Sequence, residues 1–206
     1  MIKNIIFDWS GVIKDSVEDH LFAVNKVFQS FGAKQMSLEE LKTEWVQPHM
    51  VFYNQYLPEL SNEQQAVVYK MAIMERDPKP YKNIAELIKE LQNKGIKMVV
   101  VSSDLIETVT SELTIFGLDG VFLDVIPNVH DKTVAVENSI NKYNFNKSET
   151  VIIGDTNHEI EVGKSVGIKT AAVTWGFTLE TRLISNYPDF IIHNLNELKD
   201  LIINKS

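Results

Sequence analysis

Residues 5–12 read Ile5-Ile6-Phe7-Asp8-Trp9-Ser10-Gly11-Val12. Three apolar residues run straight into an aspartate, as in a strand buried on both faces of a parallel sheet, and Gly11 permits a sharp exit from it. An aspartate so placed lies at the carboxyl end of its strand, the end at which open α/β sheets bind ligands. Asp8 is therefore a candidate nucleophile or metal ligand. The alternative is an ordinary strand followed by a polar turn, and the rest of the chain has to decide.

Downstream, two more apolar runs end in the same way. Residues 97–101 stop at Ser102-Ser103-Asp104, and residues 150–153 stop at Gly154-Asp155-Thr156. Shorter strands are expected at 121–126, 169–174 and 189–192. Between them lie helical patterns at 83–93, 106–116, 131–143 and 195–203, and one that follows Thr156 and runs to about residue 166; Gly95, Gly117 and Gly167 stand just past three of them. This alternation predicts an α/β fold built on a doubly wound parallel sheet.

Residues 17–81 have no strand-like run. Leu21, Val24, Val27, Phe28 and Phe31 form a helical stripe ended by Gly32. Ser37 with Glu40 and Ser61 with Gln64 are spaced as capping boxes of two further helices, and Pro48 is expected to end the first of these. A helix carrying Val51, Phe52 and Tyr56 lies between them, and Asp77-Pro78-Lys79-Pro80 closes the block. Its aromatic and methionine stripe reads as core in preference to a pocket lining. Residues 1–14 and 81–206 are thus expected to form the α/β core, and residues 15–80 a helical insertion.

The chain has 206 residues, 44% of them apolar, a formal net charge of -8 and no cysteine. The acidic balance argues against binding to a nucleic-acid backbone, which relies on clustered Lys and Arg. No apolar run approaches the roughly 20 residues that cross a bilayer. The first residues lead directly into strand, so no signal peptide is expected, and the lack of cysteine fits a cytoplasmic location.

If the sheet is parallel, Asp8, Ser102 and Asp155 lie on one edge. Two carboxylates a few ångströms apart repel, and a divalent cation keeps both ionised. Magnesium suits an oxygen-only ligand set, and no Cys or His cluster asks for zinc. Lys132 can supply positive charge to an anionic substrate, and Ser102 a hydrogen bond to a phosphate oxygen. His158 reads as a polar residue at an exposed helix start; His20, His49, His130 and His193 are scattered.

Taken together, Asp8 with Gly11, then Ser102, then Lys132, then Gly154-Asp155-Thr156 with Glu159 resemble the four ordered motifs of the haloacid dehalogenase (HAD) superfamily. The helical insertion is similar to that family's helical C1 cap. Val173-Thr174-Trp175-Gly176-Phe177 and Pro188-Asp189-Phe190-Ile191 are similar to the phosphoglycolate phosphatase-like branch. The resemblance implies a magnesium-dependent phosphatase of a small phosphorylated metabolite, monomeric or homodimeric, with no nucleic-acid or membrane partner. Asp8 would attack phosphorus and become an aspartyl-phosphate. Asp8, the backbone carbonyl of Ser10 and Asp155 would hold magnesium, with Glu159 orienting the metal shell. Ser102 and Lys132 would bind phosphoryl oxygens, with Ser103 and Gly11 beside them.

Ser10 departs from the pattern. Phosphatases of the family carry a second aspartate there, which protonates the leaving group and then activates water. General acid-base catalysis is worth ~10²- to 10⁴-fold, or about 3–5 kcal/mol. Its absence leaves three possibilities: a substrate with a good leaving group such as an acyl phosphate, an acid drawn from the cap or substrate, or a weakly active phosphometabolite-binding protein. A phosphonoacetaldehyde hydrolase-like reading shares the Asp8-Trp9 pair but needs a cap lysine, and the contexts of Lys34 and Lys42 do not match. True haloacid dehalogenases lack the Gly-Asp motif with a second acid that Asp155 and Glu159 supply.

Overall fold

Six strands, β1 (Asn4–Phe7), β2 (Lys97–Val101), β3 (Asp124–Ile126), β4 (Thr150–Gly154), β5 (Lys169–Val173) and β6 (Phe190–Ile192), form one sheet in the order β3-β2-β1-β4-β5-β6. Every adjacent pair is parallel. The computed structural model describes residues 1–46, 49–129 and 131–204; Pro48, expected to end a helix, and His130 lie outside the described residues.

Strand β1 is central because it is apolar on both faces. All four of its residues are buried, and Asn4 pairs with Lys97 on one side and Thr150 on the other. Alternation divides the core in two. Ile5 and Phe7 join Val100, Val151 and Ile153 on one face, while Ile6 joins Val99, Val101 and Ile152 on the other. Ten helices are described: α1 (Val17–Ser30), α2 (Leu38–Glu44), α3 (His49–Tyr56), α4 (Asn62–Met74), α5 (Ile84–Asn93), α6 (Ile106–Ile115), α7 (Lys132–Tyr143), α8 (Asn157–Val166), α9 (Glu180–Ser185) and α10 (Leu195–Lys199). Helix α5 buries Ile84, Leu87, Ile88 and Leu91 against the first face; α7 and α8 bury Val136, Ile140, Val162 and Val166 against the second. The sheet is thus wound on both sides. From β1 the chain builds outward to β3, then crosses back to β4 and builds the other way. The direction reverses between β1 and β4, which opens a crevice at their carboxyl ends.

The chain divides into two compact units, Met1–Asp15 with the part from Pro78 onward, and Ser16–Asp77. Within the first, the Asp15 N–H donates to the Lys79 carbonyl and the Tyr81 N–H to the Ile13 carbonyl, both at 2.9 Å, so the departing and returning segments run side by side. The second unit holds α1 to α4. Both expected capping boxes are present there, Ser37 with Glu40 and Ser61 with Gln64. Phe28, Phe52 and Tyr53 are fully buried, and Phe28 stacks on Phe52 with ring centres 5.9 Å apart.

Four readings need correction. Of the aromatic and methionine stripe expected as core, Phe31, Tyr56, Met71 and Met74 are exposed; helix α4, where Val67 is exposed too, buries Gln65 and Ala72. Strand β3 begins at Asp124 because the Val121 N–H closes a turn onto the Leu118 carbonyl just after Gly120 at φ +69°. Helix α9 was not anticipated, since six residues that bury only Leu183 carry little periodicity. The C-terminal helix leaves α-geometry after Lys199 for a wider turn over Asp200–Asn204. Among the described residues no helix is long and apolar enough to cross a membrane.

Helix α8 approaches the sheet through Gly163, where a Cβ would run into methyl groups of Thr170 on β5 and Ile152 on β4. Gly163→Ala gains about 1 kcal/mol of helix propensity but overpacks a site worth about 1–3 kcal/mol. We expect net destabilisation of about 1 kcal/mol, read from the midpoint of urea unfolding; an unchanged or higher midpoint would contradict this packing.

Candidate active site

The ladder does not stop with the last apolar residue of β1. The Asp8 N–H still donates to the Ile153 carbonyl at 2.9 Å, which fixes the Asp8 backbone at the edge of the crevice and leaves its side chain 90% or more buried. The chain then turns back on itself: the N–H groups of Val12, Ile13 and Lys14 all point to the Trp9 carbonyl. Trp9 anchors this turn. It is fully buried, stacks on Phe116 at 5.6 Å, and its indole N–H donates to Glu112 at 2.6 Å; Lys14 pairs with the other oxygen of Glu112.

Glycines make the crevice passable. Gly11 sits at φ +81°, and a Cβ there would fall inside the Asp155 carboxylate. A Cβ on Gly176 would strike Asp155 from another side, and one on Gly154 would strike Glu159. Backbone therefore closes on these acids more tightly than any side chain allows.

Asp155 leaves β4, and one of its oxygens accepts the Phe177 N–H at 2.6 Å. Glu159 lies one turn into α8, whose first residues are fixed by a capping box: Thr156 gives its hydroxyl to Glu159 at 2.5 Å and its N–H at 3.3 Å. The other Glu159 oxygen takes the Lys132 ammonium at 2.7 Å, and the same ammonium reaches Asp8 Oδ1 at 2.8 Å. Lys132 is the first residue of α7, placed there by Asp131, whose carboxylate accepts the Thr133 N–H.

Asp8, Asp155 and Glu159 offer carboxylate oxygens that lie within 4.8 Å of one another, and all three residues are buried. One ammonium cannot balance three carboxylates. Burial pushes the Asp8 carboxyl up to about 8, aided by the charges of Glu159 and Asp155 and opposed by Lys132. Burial and the neighbouring Glu159 push Asp155 up to about 7. Burial also works against Glu159, but the charge and hydrogen bond of Lys132 outweigh it and hold that carboxyl low. Lys132 itself is held protonated: burial disfavours its charge, and Asp8 and Glu159 more than restore it. A buried, oxygen-only cluster with charge left over is the donor set of a hard divalent cation, so these residues fit one.

The remaining residues singled out from the sequence fall into a second group. The Ser10 hydroxyl donates to Asp104 Oδ2 at 2.7 Å, and the Ser102 hydroxyl donates to the same atom at 3.1 Å. Ser102 is buried; Ser103 is exposed and stands outside this arrangement. His158 is half-buried, and its Nε2 accepts the Lys132 backbone N–H at 3.4 Å, so it faces the site's second shell of contacts and not solvent alone. Sequence reasoning assigned nothing to Asp104, Thr156 or Glu112. Only Thr156 had a signal that could have revealed it, its capping-box spacing to Glu159.

A family model described as haloacid dehalogenase-like hydrolase matches residues 5–173. The chain is 26% identical over 209 residues to the pyrophosphatase PpaX of Halalkalibacterium halodurans, covering 98% of this chain and 97% of that protein. It is 28% identical over 216 residues to the phosphoglycolate phosphatase of Aquifex aeolicus, covering 98% of each. A haloacid dehalogenase-like family hydrolase from Streptococcus pneumoniae, 19% identical, superimposes with a TM-score of 0.80 over 99% of each chain, which shows a shared fold.

The raised carboxyls set a pH dependence. Unfolded, Asp8 and Asp155 titrate near 3.8; folded, they do so near 8 and 7, so the native state binds more protons between these limits. Their contribution is fully present below about pH 4 and is lost as pH rises through 7 to 8. In EDTA, stability should fall from pH 5 to 8, and Asp155→Asn should flatten the slope. A divalent cation needs the ionised carboxylates, so its stabilisation should grow over the same range. Urea unfolding at three pH values with EDTA or magnesium tests both; a slope in EDTA that Asp155→Asn leaves intact would be the contrary result.

Proposed function

Because the chain belongs to the haloacid dehalogenase-like hydrolases, we propose that it removes the phosphoryl group of a small phosphorylated metabolite, with magnesium and through an aspartyl-phosphate on Asp8. The relatives named pyrophosphatase and phosphoglycolate phosphatase support phosphate hydrolysis as the reaction class. The observation that carries the reading is Asp8 itself: a buried carboxylate at the end of the central strand, with an ammonium 2.8 Å away and two further buried acids within 4.8 Å.

The roles are those the family resemblance implies, and the geometry supports them. A carboxylate oxygen of Asp8 attacks phosphorus, and the bond from phosphorus to the leaving oxygen breaks with its electron pair on the leaving group. Lys132, already seated against Asp8, meets the phosphoryl oxygens there, and the Ser102 hydroxyl turns its hydrogen from Asp104 to bind another. Asp8, the Ser10 carbonyl and Asp155, with Glu159 orienting them, would hold magnesium, which would supply the charge that lets these acids stay ionised beside an anionic substrate. Water then attacks phosphorus and returns Asp8 to a carboxylate. The helical unit Ser16–Asp77 is assigned the part of the inserted cap.

Ser10 narrows the substrate. Its hydroxyl is a poor acid at neutral pH, so leaving groups that depart without a proton are favoured. We rank acyl phosphates and phosphoanhydrides above alkyl esters. The relative named pyrophosphatase supports that order.

The test is phosphate release from acyl, anhydride, aryl and alkyl phosphates, with and without magnesium. Release should need magnesium, follow the acidity of the leaving group, and fall by at least about 10³-fold in Asp8→Asn, since the nucleophile is lost. Release that survives Asp8→Asn would refute the aspartyl-phosphate; none from any class would turn the reading toward a phosphometabolite-binding protein. A second expectation concerns Ser10. Ser10→Asp alone would set one carboxylate against Asp104, so it is paired with Asp104→Asn. The double variant should raise alkyl ester turnover by up to about 10²-fold and acyl phosphate turnover much less; equal gains on both would remove the missing-acid account.

A further inference from the structure

Ser10 follows β1 and Ser102 follows β2, yet both hydroxyls donate to one atom, Oδ2 of Asp104, at 2.7 and 3.1 Å. The position of Asp104 is fixed independently. Its own N–H donates to the Ser102 hydroxyl oxygen at 3.0 Å, its carbonyl accepts the Asn128 N–H at 2.7 Å, and the Ser102 carbonyl accepts the Val129 N–H at 2.9 Å. Asp104 is thus clamped between its own strand end and the segment after β3.

A hydroxyl has one hydrogen and two lone pairs. A carboxylate beside Ser10 commits that hydrogen, and the lone pairs are what Oγ has left to offer the site. Ser10 then cannot give a proton to a leaving group. It can accept a hydrogen bond from a water molecule and fix where that water's own lone pair points.

We propose that Asp104 is a positioning residue: it locks Ser10 as a hydrogen-bond acceptor for the water that hydrolyses phosphorylated Asp8. This rests on the aspartyl-phosphate reading above. In the step it serves, the water oxygen bonds to phosphorus, the bond from phosphorus to the Asp8 oxygen breaks, Asp8 leaves as carboxylate, and both water protons depart on the phosphate. Neither Ser10 nor Asp104 changes protonation. The two halves of the reaction are therefore served unequally: the Ser10 hydroxyl gives nothing to formation of the intermediate and aids its hydrolysis.

Such a residue has a kinetic signature. With p-nitrophenyl phosphate as probe, kcat/KM reports steps up to intermediate formation, whereas kcat falls when hydrolysis slows. In a Ser102→Ala background, which removes the other hydroxyl that Asp104 holds, Asp104→Ala should lower kcat about tenfold and KM in proportion, leave kcat/KM within about twofold, and produce a burst of p-nitrophenolate near one equivalent. In the same background Asp104→Asn should recover kcat to within about threefold of Ser102→Ala alone, because Ser10 uses a single oxygen that an amide also provides. Ser10→Ala combined with Asp104→Ala should be no slower than Ser10→Ala alone. A kcat/KM that falls as far as kcat with no burst, or an Asn variant as impaired as the Ala variant, would overturn the proposal. Native turnover that persists in Asp8→Asn would instead overturn the aspartyl-phosphate reading, and this inference with it.

Discussion

One ammonium group, on Lys132, holds together two chain segments whose buried acids would otherwise repel. It bridges Asp8 at the end of β1 and Glu159 on α8, at 2.8 and 2.7 Å, from the first residue of α7. A buried ion pair is weak evidence for stability, because desolvating the charges costs much of what their attraction returns. What this one supplies is register. It fixes how far α7 and α8 can move relative to the central strand. It also leaves a charge deficit in the crevice that an added cation would fill.

The sheet order makes that meeting of charges possible. Because β1 and β4 are neighbours and the winding direction reverses between them, Asp8 and Asp155 emerge side by side at the carboxyl ends of these strands. Close approach then depends on what is missing. Gly11, Gly154 and Gly176 each stand where a methyl group would occupy the space of a carboxylate. On the opposite side of the turn the contacts are large: Trp9 on Phe116, with Glu112 collecting both the indole and Lys14. The turn after β1 is thereby rigid at its buried edge and free of side-chain bulk at its reactive edge.

Much of this was legible in the chain. Strands β1, β2 and β4 announce themselves as unbroken apolar runs ending in polar residues; Asp8, Asp155 and Lys132 could be singled out because each stands at the start or end of an element, and Glu159 only through the family resemblance. The capping boxes at Ser37 and Ser61 were equally readable, since their signal is contained in four residues. The bond from Ser10 to Asp104 spans 94 positions and leaves no local trace. Exposure was also hidden: Val67, Met71 and Met74 have the spacing of a buried face, and only the packing of α4 through Gln65 and Ala72 shows which side faces inward. Ser103 shows the converse, a residue that shares its neighbour's chemistry but not its direction.

The placement of β1 at the middle of the sheet bears on how the protein is made. Strand β1 is synthesised well before β4, and the hydrogen bond between Asn4 and Thr150 joins positions 146 apart. At ordinary rates of synthesis the run Ile5-Ile6-Phe7 waits roughly ten seconds for β4 to exist. Until then β1 has no partner on that side. The strand that carries Asp8 is thus made long before its second neighbour, and an edge left open in this way is free to pair elsewhere in the interval.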